Sequence, residues 1–229
     1  MKIGRIAGSV LTVAAGGLAV AGVGLAVQEH GSPARSNTVA VRGTASTARG
    51  QVPHVYVHLS TYPDSEQGFH GPDGGRHPDW VTYGPNTDLR LPAHALVTVT
   101  IRQFDGGEKI TNAFFARVHG TIGGTETVNG HTVHSVDPEH IGHTFTIHAA
   151  PTSQDPLFVS APLPAVPDSA PTAPGSDYPR PNVVTFSFMT GGPGKYVWNC
   201  EFPCGDLTYA KFGGPMSTRK YMSGTLTVV

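Results

Sequence analysis

The chain has 229 residues, 38% of them hydrophobic and 14% charged, which is enough apolar material for one core. Its 15 basic and 16 acidic side chains leave a formal net charge of -1, which excludes a broad basic surface for nucleic acid or anionic lipid. The 29 glycines and 20 prolines, together with short threonine-rich runs, favour strands and turns over helices. The composition therefore predicts an all-β domain.

Residues 1–28 are typical of a signal peptide or a membrane anchor. Lys2 and Arg5 precede an uncharged run from Ile6 to Val27. That run is longer than the apolar core of about 7–15 residues in most cleaved signals, but it is rich in Gly and Ala, so cleavage and retention both stay open. Either outcome predicts a protein that is secreted or membrane-anchored on the extracytoplasmic side, with no membrane contact beyond this segment.

Residues 29–52 are small, polar and aperiodic, which predicts a flexible linker before a single domain at 53–229. Six alternating segments of that domain predict strands: 54–58, 94–101, 143–147, 183–189, 195–200 and 222–229. The sequences Asp105-Gly106-Gly107 and Asn129-Gly130 predict turns between them. In the stretch 151–181, nine prolines exclude a central strand or a helix, and we expect a long surface connection there.

The alternation of three strands places a histidine, a cysteine and a methionine in the core-facing phase. His143 shares a strand face with the apolar Phe145, and Cys200 shares one with Trp198. Met222 falls in the phase of the apolar residues of the last strand. Each of the three stands at a strand end. Imidazole, thiolate and thioether together form a ligand set that suits both Cu(I) and Cu(II).

The segments that carry these residues resemble the cupredoxins. The sequences "PGKYVWNC", "GHTFTI" and "MSGTLTVV" are similar to the strands that surround a copper site in that family, and "LRLPAHALVTVTI" is similar to an early strand. "CEFPCG" with "HIGHTF" also resembles the copper-A domain of cytochrome oxidase subunit II. The resemblance implies a single Greek-key cupredoxin-like β-sandwich with long Pro- and Gly-rich loops. It further implies one copper ion on His143, Cys200 and Met222, electron transfer or copper handling outside the cytoplasm, and a redox or copper-donor protein partner.

The ligand set departs from both patterns. A blue-copper centre has a second histidine between its cysteine and its methionine, and residues 201–221 contain none. The copper-A pattern has a histidine where this chain has Thr208 and a methionine where it has Lys211. A distant histidine could fill the gap, and three are candidates: His119, His140 and His148. Met216 and Cys204 are further candidate ligands, and a set rich in sulfur favours Cu(I).

The two cysteines have a second interpretation. Cys200 and Cys204 are the only thiols and are separated by three residues, so outside the cytoplasm they could form a disulfide. The alternative function is then a copper-free structural or partner-binding module.

His54 and His58 lie about 13 Å apart on a strand, too far for one ion. No catalytic motif occurs, and an enzyme is not expected.

Overall fold

The structure is a computed structural model that describes residues 37–48, 50–63, 80–107, 112–151, 153–175, 178–202, 204 and 214–229. These residues form strands β1 (Asn37–Thr38), β2 (Val41–Thr47), β3 (Gly50–Tyr62), β4 (Thr82–Gly84), β5 (Leu89–Leu91), β6 (Leu96–Gln103), β7 (Glu126–Val128), β8 (His131–Val133), β9 (Ile141–Ala149), β10 (Val159–Pro164), β11 (Asn182–Met189), β12 (Gly194–Asn199) and β13 (Ser223–Val228). Two 3-10 turns lie at Ile122–Gly124 and Pro138–His140.

The strands form two sheets. The six-stranded sheet has the order β1-β5-β13-β12-β9-β10, and the seven-stranded sheet has the order β2-β3-β6-β11-β7-β8 with β4 paired to β3. Most pairs are antiparallel, while three pairs are parallel: β1 with β5, β5 with β13, and β3 with β6. In the six-stranded sheet β12 lies between β13 and β9, with Asn199 opposite both Ser223 and Thr146. The ends of these three strands therefore meet at one end of the sheet.

The core lies between the two sheets and is built by period-2 alternation. Valines and isoleucines of β3, β6 and β11 face large apolar side chains of β9, β12 and β13. Fully buried examples are Ile101, Val184, Phe145, Trp198 and Leu226. Burying one such side chain contributes about 1.5–3 kcal/mol. This strand architecture confirms the predicted fold class as an all-β sandwich of two sheets, and it is consistent with the cupredoxin-like type that the resemblance implies.

The hairpin β7–β8 carries the predicted Asn129-Gly130 turn. Asn129 has φ 50° and Gly130 has φ 86°, the left-handed conformation that this tight turn requires. At the start of β7, Glu126 is only 2% exposed, and neither of its carboxyl oxygens has a hydrogen-bond partner. Burial raises the pKa of Glu126 to about 9. The hairpin therefore encloses a carboxylic acid that is uncharged at neutral pH.

Part of the predicted linker is structured. Residues 41–47 form β2, and β3 begins at Gly50, so much of the 29–52 segment belongs to the seven-stranded sheet. Ala45 and Val52 pair across this antiparallel ladder. The burial pattern of β2 is almost entirely exposed, which is why its sequence lacks an apolar alternation to signal the strand. The segment 1–28, expected to be a signal or an anchor, lies outside the described residues.

The proline-rich stretch 151–181 contains a buried strand, which the sequence analysis did not predict. In β10, Val159, Ala161 and Leu163 are fully buried, so the expected surface connection is wrong for these residues. β10 is an edge strand of its sheet, and proline is tolerated on edge strands. Pro162 pairs with Thr144, whose N–H points the other way to Cys200 Sγ. Pro162 therefore occupies a position where the ladder needs no N–H.

None of the described residues forms a helix that is long and apolar enough to cross a membrane.

Candidate metal centre

A histidine and both cysteines converge at the end of the six-stranded sheet. His143 Nδ1 lies 3.0 Å from Cys204 Sγ and 3.8 Å from Cys200 Sγ. The two sulfurs lie 3.4 Å apart and are not joined by a disulfide. His143 is 2% exposed, Cys200 0% and Cys204 5%. Among the described residues, no other group of three His, Cys, Asp or Glu side chains is close enough to share a metal ion.

Strand ends position this cluster. His143 is the third residue of β9, and Cys200 follows directly after β12 on the face that also carries Trp198. The Cys200 N–H donates to the Met222 carbonyl at 2.9 Å, which continues the β12–β13 ladder by one residue. The predicted inward phase of all three side chains is consistent with their burial, since Met222 is also fully buried.

A loop from the seven-stranded sheet reaches the cluster from the other side. Asp105 Oδ2 accepts a hydrogen bond from His143 Nε2 at 2.8 Å. The loop after β6 approaches β9 closely because glycines lie on both segments. A Cβ on Gly107 would clash with the Ile141 carbonyl, and one on Gly142 would lie 2.6 Å from the Gly106 carbonyl oxygen. The Asp105 bond therefore fixes the ring so that Nδ1 faces the two sulfurs.

The electrostatics of the metal-free cluster are those of an ion pair. Burial lowers the pKa of His143, but the hydrogen bond to Asp105 and the nearby Cys200 sulfur outweigh it and raise the pKa to about 9. Burial raises the pKa of the Cys200 thiol, but hydrogen bonds from Cys204 and His143 outweigh it, so this pKa falls well below its ordinary value. The arrangement therefore favours an imidazolium beside a thiolate.

Two backbone N–H groups also point at the Cys200 sulfur. Thr144 N lies 3.3 Å and Phe202 N 3.4 Å from Cys200 Sγ. Such donors stabilise negative charge on sulfur. The Tyr83 hydroxyl donates to the Thr144 carbonyl at 3.0 Å. Burial raises the pKa of Tyr83 and the charges of Cys200 and Cys204 raise it further, which keeps this phenol protonated next to the cluster.

The three ligand atoms fit a single ion. Metal–sulfur bonds of about 2.3 Å and metal–nitrogen bonds of about 2.0 Å at tetrahedral angles separate ligand atoms by about 3.5–3.8 Å. The three observed separations, 3.0, 3.4 and 3.8 Å, are close to this. Two thiolates and one imidazole are a soft donor set, which suits Cu(I) or Zn(II) better than a hard cation. The residues present therefore fit a copper ion.

The two methionines predicted as ligands are not part of the cluster formed by the histidine and the two cysteines. Met222 is a fully buried core residue whose backbone is bonded to Cys200, and its role as a ligand stays a prediction. Met216 is partly buried and lines a surface cavity of about 420 Å³ together with Val197 and Asn199. Those two side chains point to the opposite side of β12 from Cys200, because side chains alternate along a strand. Ligation by Met216 also stays a prediction.

The three candidate histidines each have another partner. His119 donates from Nε2 to the Phe114 carbonyl at 2.9 Å, and His140 lies 3.0 Å from Asp137 on the surface. His148 Nε2 lies 2.6 Å from Glu201 Oε1. None of the three belongs to the cluster of His143 with the two cysteines. Of the two sulfurs in that cluster, Cys204 Sγ lies nearer to His143 Nδ1.

Asp105 is the site residue that sequence reasoning missed. Its sequence context, Asp-Gly-Gly, predicted only a turn, and 38 residues separate it from His143. The two glycines after Asp105 permit the close approach to β9, but they are equally typical of any tight turn. The sequence therefore contained no specific signal for this contact.

Comparisons with known proteins give only weak likenesses. No protein-family model matches the chain, and no curated protein matches it. The structure is similar to auracyanin B, with TM-score 0.33, 16% identity, and coverage of 82% of this chain and 96% of that one. It is similar to a methionine-to-glutamine mutant of rusticyanin (TM-score 0.32, 16% identity, 77% and 78% covered) and to a multicopper oxidase (0.26, 12%, 77% and 44%). At these TM-scores the likenesses assign neither a family nor a function.

Proposed function

We propose that the chain binds one copper ion, as Cu(I), through His143 Nδ1, Cys200 Sγ and Cys204 Sγ, and that it acts in copper handling. The observation that supports this is the convergence of the three ligand atoms at 3.0–3.8 Å in a buried position. The bound ion would supply one-electron redox chemistry or serve as cargo for transfer. Every other property of the centre comes from the chain's own residues.

The donor set favours Cu(I) over Cu(II). Soft thiolate ligands select Cu(I), whereas Cu(II) is better served by more nitrogen donors. His143 is the only histidine of the cluster. A second imidazole of the kind found in blue-copper centres would have to come from outside it. The proposal therefore favours copper handling over rapid electron transfer.

Neighbouring residues would hold the centre in its binding geometry. The Asp105 carboxylate orients the imidazole through Nε2, and the N–H groups of Thr144 and Phe202 stabilise charge on Cys200. Burial of all three ligand side chains limits access of water. Copper must displace the proton from His143, so binding is expected to release protons.

The sequence supports an extracytoplasmic setting for this function. The positively charged start and the apolar run within residues 1–28 are typical of export, and we propose that the domain works outside the cytoplasm, secreted or anchored by that segment. A copper-donor or redox protein is the partner that a copper-handling role requires.

Anaerobic titration of the reduced protein with Cu(I) against a chromophoric chelator tests the proposal. We expect one Cu(I) per chain, and ultraviolet thiolate-to-copper absorption. Cys200→Ser, Cys204→Ser and His143→Gln each remove a proposed direct ligand and should weaken binding by at least about 100-fold, the upper end of what the loss of an outer partner costs. His119→Gln is the matched control, since its ring bonds a backbone carbonyl elsewhere, and it should leave binding unchanged. Circular dichroism checks that each variant is folded.

Two results would contradict the proposal. One is Cu(I) binding that survives Cys204→Ser but is lost in Met222→Leu, which with an intense visible Cu(II) band would favour the ligand set of His143, Cys200 and Met222 and an electron-transfer role. The other is Zn(II) binding that Cu(I) fails to displace, which would make the centre a zinc site.

A further inference from the structure

The outer edge of β2 differs from the other sheet edges in the described part of the chain. The edge strands β1, β4 and β8 have only two or three residues. The edge strand β10 contains Pro162 and Pro164, and its Ser160 is bonded to the backbone of His119. Short strands, prolines and covering segments prevent edge strands from pairing with other chains. β2 has seven residues and no proline, so its edge lacks these protections.

Pro53 determines which backbone groups of β2 face this edge. Thr44 is paired with Pro53, which has no N–H, so this is the kind of antiparallel pair that exchanges no hydrogen bonds. The N–H and C=O of Thr44 therefore point away from β3, and those of Ser46, two residues on, point the same way. A bulge between Val41 and Gly43 limits the regular part of the edge to residues 43–47. Among the described residues, no other strand pairs with this edge.

The end of the ribbon formed by β2 and β3 has no third strand. The ladder of β3 with β6 begins at the pair His54 and Leu96, so residues 50–53 of β3 are paired with β2 alone. No side chain of β2 is buried. A two-stranded ribbon without a packed face is only marginally stable. A further strand on the outer edge of β2 would supply hydrogen bonds that the ribbon lacks.

We propose that this edge pairs with β2 of a second copy of the chain in an antiparallel arrangement that joins the two seven-stranded sheets. Outward-facing groups must meet outward-facing groups, so Thr44 of each copy lies opposite Ser46 of the other. Ala45 then faces its counterpart at the two-fold axis. Each pair of Thr44 with Ser46 exchanges two N–H···O bonds, which gives about four between the copies.

The composition of β2 favours a second copy over an unrelated extended peptide. Arg42 is the only charged residue of the strand, and this arrangement places it opposite residue 48, so the two Arg42 side chains do not face each other. Ala45 is small enough for the close approach at the axis. A second β2 is already extended, so it loses less conformational entropy on pairing than a disordered peptide does. The pairing does not depend on copper.

Sedimentation velocity of the full, metal-free chain in a mild detergent, which keeps the N-terminal segment dispersed, tests the pairing. We expect a dimer with a Kd below about 1 mM, as for a small interface. Thr44→Pro removes an outward N–H from each copy, and proline is tolerated on an edge strand whose N–H faces solvent. This variant should raise the Kd at least about tenfold, because two hydrogen bonds between the copies are lost.

Thr132→Pro is the matched control on the edge strand β8. Val128 and His131 close the hairpin of β7 and β8, so the next pair, Thr127 with Thr132, exchanges no hydrogen bonds and the Thr132 N–H also faces outward. This variant should leave the Kd unchanged. A chain that stays monomeric at 1 mM, as an order-of-magnitude limit, would overturn the proposal. So would a dimer that Thr44→Pro leaves intact, or one that both variants weaken equally.

Hydrogen exchange of the unmodified chain gives a second measurement that does not depend on how the variants fold. The amides of Thr44 and Ser46 should exchange at least about tenfold more slowly when the dimer predominates than when the chain is dilute, whereas the amide of Thr132 should not change. Exchange of Thr44 and Ser46 that is independent of protein concentration would overturn the proposal. Cu(I) binding is measured separately, so the copper centre and the β2 pairing stand or fall independently.

Discussion

Replacing Asp105 by asparagine tests how His143, the proposed copper ligand, is oriented. The change keeps an oxygen that can accept the Nε2–H bond, but it removes the negative charge that lies 2.8 Å from the ring. The His143 side chain is 3% exposed and that of Asp105 21%, so this interaction is shielded from water more than a surface pair is. We expect Asp105→Asn to weaken Cu(I) binding without unfolding the protein.

The expected magnitude follows from the role of such outer partners. A carboxylate that bonds a metal-bound histidine fixes its tautomer and raises its basicity, and its removal typically costs about 10–100-fold in metal affinity. That range corresponds to about 1.4–2.8 kcal/mol of binding free energy. Asparagine keeps a hydrogen bond, so Asp105→Asn should fall near the tenfold end. Asp105→Ala leaves a buried N–H without its acceptor and should fall near the hundredfold end.

The assay is Cu(I) competition with a chromophoric chelator at fixed pH, with the cysteines reduced. The chain offers a matched control, because Asp137 also bonds a histidine, His140, at 3.0 Å. That pair is exposed, with side chains 73% and 58% accessible, and lies outside the metal cluster. Asp137→Asn should therefore leave the Cu(I) affinity within about twofold of wild type.

An unchanged Cu(I) affinity in Asp105→Asn would refute this reasoning, because the carboxylate would then contribute nothing to the ligand. A loss of affinity shared equally by Asp137→Asn would also refute it, since the effect would then be a general response to lost negative charge. Urea denaturation of both variants separates a direct effect on the ligand from a loss of folding stability.

Three further predictions concern stability, each measured by urea denaturation. Because the pKa of Glu126 is raised to about 9, the free energy of unfolding of the wild type should fall between pH 4.5 and about 9, by at most about 1.4 kcal/mol per pH unit. Glu126→Gln should remove this fall, and a wild-type curve that is flat over that range would contradict the prediction. Gly142→Ala should cost about 1–3 kcal/mol and weaken Cu(I) binding, because its Cβ meets Gly106, and a neutral effect would mean that the loop yields freely. Arg219→Met leaves the buried carboxylate of Asp88, 1% exposed, without its partner, and should cost about 1–2 kcal/mol at pH 7 after a discount for the half-exposed guanidinium. Burial raises the pKa of Asp88, but Arg219 and Thr225 outweigh it and hold this pKa below 3.8, so the stability difference between wild type and variant should shrink as the pH falls below that value. A difference that stays constant down to pH 2 would contradict the ion-pair argument.

The alternation of apolar and polar residues predicted much of the fold, because one face of each strand must be buried in the core while the other can face solvent. The segments that became β9, β11, β12 and β13 alternate cleanly, since one side of each packs into the core. β2 has no buried face and gave no such signal. β10 was missed although it is buried, because its prolines indicated that no strand could form there. Prolines exclude a central strand, but they are compatible with an edge strand.

The site was predictable only as far as local periodicity reaches. Alternation placed His143 and Cys200 on the core side, because each follows or precedes apolar residues of its own strand. Cys204 lies beyond the end of β12, where no period constrains the direction of its side chain. Asp105 comes from the other sheet, and its contact with His143 depends on how the two sheets pack. No local pattern encodes such a distance.

The end of β12 explains why a sulfur cluster forms here. The ladder between β12 and β9 ends at the pair Asn199 and Thr146, so the Thr144 N–H further along β9 has no carbonyl from β12 to bond. A buried N–H without an acceptor is costly, and the Cys200 sulfur accepts this one. The same contact stabilises negative charge on that sulfur. The Cys200 sulfur therefore satisfies the backbone N–H at the strand end, and this places a soft, negatively charged sulfur beside His143.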